Sequence, residues 1–155
     1  MPDTKTDPDI SGLYFRLFTE IGIISQLSRA MFEARLPDGL VLPHFTVINH
    51  LIRVQDGQTP LHLARAFQVP KTSMTHTLAG LEKHGFVVMK ANPEDARSKQ
   101  VWLTQAGRAF RDEAIAGLDP DIAQFADTFD VTELTVLTEH LERLRERLDS
   151  ARDKP

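Results

Sequence analysis

The sequence predicts a mainly α fold with one small β-hairpin, in which short helices and the hairpin form the middle and long helices form both ends. Three observations predict it. Apolar residues recur at helical spacing over most of the 155 residues. The period changes after Gly85, where Phe86–Lys90 and Lys99–Leu103 are rich in strand formers. Prolines and glycines fall where helices start and stop.

The first helix is expected from Ile10 to Leu36. Ile10, Leu13, Leu17, Ile21, Ile24 and Met31 recur along it, and Pro37-Asp38-Gly39 closes it. LPHFTVINHLIR reads as a second helix with Pro43 in its first turn, ending near Gln55-Asp56-Gly57. The third starts with Thr59 as N-cap and Pro60 as first helical residue, and Val69-Pro70 ends it. KTSMTHTLAGLEKHG is the fourth, with Gly85 as its stop. The eight residues between the two strands include the turn signal Asn92-Pro93 and form a loop longer than packing requires. Thr104 caps a further helix, whose face from Phe110 through Ile115, Leu118, Ile122 and Phe125 to Phe129 is expected to bend or break at Asp119-Pro120. In the last helix Asp130 and Glu133 form a capping box, with Phe129 and Leu134 as a hydrophobic staple. Leu134, Leu137, Leu141, Leu144 and Leu148 then step by three and four, which is a heptad seam.

Length implies one domain, or one domain with extensions. No apolar run is long enough to span a membrane, and residues 1–9 are polar and acidic, so a disordered tail and a cytoplasmic location are expected. The chain has no cysteine, which excludes disulfides, thiolate metal sites and thiol-based sensing. Net charge is −4, but residues 60–100 hold six Lys and Arg against three Asp and Glu, a local +3. Screening over ~8 Å lets such a segment meet a polyanion while the whole chain is anionic.

Two short helices joined by a tight turn and followed by a hairpin make the winged helix-turn-helix pattern, expected over residues 40–103. Helical dimerisation regions at 10–39 and 104–151 flank it, because their apolar stripes, including Leu17 and Ile21, are too long for one chain to cover. The second short helix enters the major groove N-terminus first. Its Lys71, Thr72, Ser73, Thr75 and His76 suit phosphates and base edges. On the wing, Arg97 suits the narrow minor groove, Asp95 is placed to hold its guanidinium, and Ser98 and Lys99 can reach phosphates. The competing account is a solvated surface helix and a surface ion pair of little energetic weight.

Leu81-Glu82-Lys83-His84-Gly85, Asp95-Ala96-Arg97 and Leu103-Thr104-Gln105-Ala106-Gly107, in that order, resemble the MarR family of bacterial regulators. The likeness is close from about Leu40 to Arg108 and extends to the end helices by layout. It implies a homodimer with interlocked end helices that binds a palindromic operator on double-stranded DNA, as a repressor or less often an activator. It also implies release by a small aromatic, anionic or phenolic effector, in a pocket near Tyr14, Phe18, His44, Phe45 and Trp102. Arg97 and Asp95 match the family's wing pair. His76 departs from it, standing where members often carry arginine, which leaves its effect on affinity and target open. No cofactor is expected. No nucleophile elbow, phosphate loop or metal-binding histidine spacing argues for an enzyme or a metal sensor. The remaining rival is a winged-helix protein-interaction module that no longer binds DNA.

Overall fold

The computed structural model describes residues 8–152. Most of the expected tail lies outside them, and Pro8 and Asp9 already belong to the first helix. The order is α1 (Pro8–Glu33), α2 (Leu42–Arg53), α3 (Pro60–Ala66), α4 (Lys71–Lys83), β1 (Val87–Asn92), β2 (Asp95–Leu103), α5 (Gln105–Ala116), α6 (Asp119–Ile122) and α7 (Val131–Arg152). Residues up to Leu118 form one compact unit and those from Asp119 a second. No described helix is long and apolar enough to cross a membrane.

The core of the first unit comes from the residues whose spacing predicts it. α2 buries Phe45, Val47, Ile48 and Leu51; α3 buries Leu63 and Ala64; α4 buries Met74, Leu78 and Leu81. The i, i+4, i+7 spacing in α4 puts one stripe inside and leaves the opposite face to solvent. The hairpin adds Val87 and Val101, and α5 adds Phe110 and Ala114. Phe32 of α1 meets Phe45 with ring centroids 4.5 Å apart.

Local chemistry sets the element ends. Thr59 accepts from the His62 N–H, and Pro60 follows at the first helical position, where its missing N–H costs nothing. The chain reverses between α3 and α4 at Gln68, with φ 53°. α4 ends before Gly85, whose φ of 73° is open to glycine at no steric cost. Thr104 is bound twice: its hydroxyl donates to the Gly85 carbonyl at 2.6 Å and accepts from the Gly107 N–H at 3.0 Å. Stacked Phe86 and Phe110, 4.5 Å between centroids, join the hairpin root to α5. Glu33 Oε1 accepts from the Leu42 N–H at 2.8 Å, so the end of α1 caps the start of α2.

Two expectations need correction. The helix capped by Thr104 is not long: it stops at Ala116, and only one short turn, α6, follows Asp119. Gly117 at the C-cap and Pro120 just beyond it end the run. The eight-residue loop is also not open. The regular ladder runs from Val87↔Leu103 to Ala91↔Lys99, and a further pair, Asn92↔Asp95, folds the tip.

In the second unit the capping box forms as expected. Glu133 donates its N–H to Asp130 Oδ1 at 2.8 Å and Glu133 Oε2 accepts from the Asp130 N–H at 3.0 Å. α7 buries no residue: Leu134, Leu137, Leu141 and Leu148 are exposed and Leu144 is half-buried.

Candidate nucleic-acid interface

α4 presents Lys71, Thr72, Ser73, Thr75 and His76 on its exposed side, all at its N-terminal end. The N-cap is Pro70, which offers no side chain to the first N–H groups. Those groups and the positive end of the helix dipole therefore remain open to an anion. Thr75 Oγ1 donates to the Lys71 carbonyl at 2.9 Å. Its hydroxyl proton is spent within the helix, so Thr75 meets a partner as an acceptor.

The wing tip is folded by its own side chains. One step on β1, from Ala91 to Asn92, spans four on β2, from Lys99 to Asp95, so Ala96, Arg97 and Ser98 form a bulge with Arg97 at its centre. Asp95 Oδ1 accepts from the Arg97 backbone N–H at 2.9 Å, not from the guanidinium. This corrects the expected ion pair: the carboxylate shapes the turn, and the exposed Arg97 side chain forms no salt bridge among the described residues. Ser98 is half-buried, accepts from Asn92 Nδ2 at 2.9 Å and donates to the Asp95 carbonyl at 3.4 Å. It stabilises the tip from within the wing.

A groove of about 510 Å³ runs between the starts of α3 and α4 and the wing. It brings Lys71, Arg97 and Lys99 together with Asp95 and Ser98, three cations against one carboxylate. Thr59, Pro60, Leu61, Met89 and Asn92 complete its wall. Sequence reasoning missed these five, because Thr59 and Pro60 read only as a helix start and Leu61 only as helix. On the other flank of α4, a second groove of about 630 Å³ gathers Thr72, Ser73, His76 and Thr77 with His44 of α2.

His44 is buried, and its Nδ1 accepts from the Val41 N–H at 3.0 Å. Burial holds its pKa below the ordinary 6.5, with His84 and His76 pushing the same way. A Cβ added at Gly80 of α4 would meet His44 Nε2 at 2.7 Å, so glycine permits this close approach of α2 and α4. His50 bonds Gln58 through Nε2 at 3.2 Å, and burial lowers its pKa too.

The expected effector residues do not converge. Tyr14 and Phe18 pair with each other, 6.0 Å between centroids, on an exposed face of α1. Phe45 lies in the core, His44 beside α4, and Trp102 at the wing root against Gly57. A separate cavity of about 220 Å³ is lined by Leu42, Pro43, Thr46 and Val47 of α2, Phe67 and Val69 of the turn, Ser73, Met74 and Thr77 of α4, and Arg29 of α1. Among the described residues no group of three or more His, Asp and Glu is placed to hold a metal ion.

A sequence model of the MarR family matches residues 38–98. Among solved structures, that of MarR is similar with a TM-score of 0.78 and 23% identity, over 88% of this chain and 92% of that one. The transcriptional regulator BldR from Sulfolobus solfataricus is similar at 0.72 and 24%, over 86% and 95%. A mutant MarR from E. coli complexed with operator DNA is similar at 0.67 and 23%, over 83% and 93%. The family's sequence model thus covers 61 of the 155 residues, from the start of the helix-turn-helix into the wing, and the chain shares the winged-helix fold of these solved regulators along most of its length.

Proposed function

We propose that the protein is a repressor that binds a palindromic operator as a homodimer and is released by a small molecule. The observation that carries this reading is the groove in which the exposed N-terminal end of α4 meets the wing cations Arg97 and Lys99. Each copy places α4 in a major groove, with Lys71, Thr72, Ser73, Thr75 and His76 positioning and reading. The two copies sit one helical turn apart, about 34 Å. Arg97 enters the flanking minor groove, where negative potential is concentrated, with Lys99 beside it on the backbone. Asp95 and Ser98 hold the shape of the tip. The E. coli MarR complex supports the DNA partner, as a structure of similar fold bound to operator DNA.

Exposed apolar surface supports the dimer. α1 leaves Leu13, Phe15, Leu17, Ile24 and Leu27 exposed, and α7 leaves most of its leucine seam exposed. Stripes of this length mark an interface, and a second copy is the economical cover. The effector site is the apolar cavity beside Met74. Arg29 is its single charged wall residue, and the Arg29 guanidinium rests 3.0 Å from Glu33. An anionic aromatic ligand there touches α4 directly and competes for Arg29, which links occupancy to the position of the recognition helix.

The test is selection of genomic fragments by the purified protein at two salt concentrations, followed by sequencing. Enrichment of one palindrome that weakens steeply with salt is expected. No enrichment at low salt removes the DNA-binding reading and leaves a protein-interaction module.

A further inference from the structure

We infer that Asp56, in the connector between α2 and α3, is a positioning residue for DNA binding: it clamps the root of the wing and thereby sets where Arg97 stands. The inference rests on the reading of the wing as a DNA contact. One Asp56 oxygen, Oδ1, accepts from the Gly57 N–H and from the Leu103 N–H, each at 3.0 Å. The other, Oδ2, lies 3.5 Å from the Arg108 guanidinium. One carboxylate thus ties the connector, the last residue of β2 and the first turn of α5.

The backbone beside it repeats the tie. Gly57 donates its N–H to the Val101 carbonyl at 3.0 Å, and Val101 donates to the Gln58 carbonyl at 2.8 Å. Gly57 has φ 74°, and the Trp102 ring lies 2.5–2.9 Å from where its Cβ would stand. Only glycine lets the connector pass this close under β2. All these contacts grip the end of the hairpin next to Leu103. Among the described residues, the side-chain hydrogen bonds at the Arg97 end are the hairpin's own.

This asymmetry makes the wing a lever. With a rise of about 3.3 Å per residue, the regular ladder from Leu103 to Lys99 is roughly 13 Å long and Arg97 stands beyond it, so a tilt of about 10° at the root moves it by at least about 2 Å. A shift of that size breaks a hydrogen-bonded groove contact. The Arg108 pair is half-exposed, with the Arg108 side chain 53% accessible, and contributes little. The two charge-assisted bonds to backbone N–H groups are the effective clamp.

The experiment is a double-mutant cycle on the full chain, using the duplex enriched from genomic fragments. Asp56→Ala is expected to weaken binding about tenfold, through loss of two backbone bonds. Asp56→Asn keeps an oxygen acceptor for both N–H groups and is expected to bind nearly as the unaltered protein does. In the Arg97→Ala background the same Asp56 changes are expected to have little further effect, because the two residues act through one contact. Amide exchange in the free protein should quicken at Val101 to Leu103 in Asp56→Ala, with the helical core protected as before. Additive losses in the cycle, or a quickened hairpin with binding unmoved, overturn the inference. If Asp56→Ala fails to fold, Asp56→Gly or Asp56→Ser takes its place in the cycle, and an additive loss there overturns the inference equally. Absence of DNA binding by the unaltered protein overturns instead the reading on which it rests.

Discussion

Arg97 is the residue on which the DNA-binding reading turns. Among the described residues its side chain has no salt bridge, and the bulge of β2 takes it out of the regular ladder. Arg97→Ala should therefore weaken operator binding by roughly ten- to a hundredfold, the range of one good groove contact, in a titration of labelled duplex. Circular dichroism and melting should stay unchanged, because nothing in the core touches this side chain. Equal affinity in the variant removes the wing from the interface. Histidine protonation gives a second expectation at this scale. Burial lowers the pKa of His44 and His50 below 6.5, so the folded state prefers both neutral. The stability they contribute is complete above 6.5 and is lost as pH falls through their folded values. The melting temperature should drop as the pH is lowered through this window, and the two rings should titrate below the free value by NMR. A melting temperature flat across that window contradicts the burial argument. Neither this nor the role of Asp95 was legible in the sequence. The spacing of Asp95 and Arg97 brings the carboxylate close, but does not decide between the backbone N–H two residues on and the guanidinium. Asp56 was invisible for another reason: its partners Leu103 and Arg108 lie 47 and 52 residues away.

Elements were legible where their determinants are local. Thr59-Pro60, the Asp130/Glu133 box and Gly85 each act within four residues, and each ends or starts a helix where expected. The strands were legible as runs of β-formers, and the regular ladder stops at Ala91↔Lys99, close to the expected limits. The extra Asn92↔Asp95 pair was not, since side-chain bonds around Asn92 and Ser98 create it. The face from Phe110 to Phe129 reads as one periodic stripe, yet the helix breaks at Gly117, because periodicity reports burial and not backbone continuity. Thr104 offers the sharpest test at this scale. It caps α5 through the Gly107 N–H and ties the helix back to the Gly85 carbonyl. Next to it, Gly107 packs so closely on the Phe86 carbonyl that no larger residue fits there. Thr104→Ala should cost about 1–2 kcal/mol in urea unfolding, the upper part of the range for a lost N-cap. A loss of only a few tenths would mean that Gly107 packing alone sets the start of α5.

For the whole molecule the open question is what covers α7. The helix has 22 residues and buries none of them, and four of its five seam leucines are exposed. Isolated helices are marginal in water, so a helix of this kind draws its stability from a partner surface. Each leucine that leaves water contributes about 1.5–3 kcal/mol, which over five positions in two copies is ample to hold a dimer. Leu141 stands at the centre of the seam, and Leu141→Glu places a carboxylate where the partner helix packs. Burying an unpaired charge costs more than the leucine contributed, so the variant should dissociate. Light scattering should give twice the chain mass for the unaltered protein and the single mass for the variant. The helical lobe of the first unit, whose core lies in α2 to α5, should keep its melting behaviour. Affinity for the palindrome should fall steeply, since a monomer presents one α4 to one half-site. A single-chain mass before mutation removes the dimer. An intact dimer in Leu141→Glu instead places the interface on the exposed stripe of α1, and Leu17→Glu is then the variant that should separate the copies.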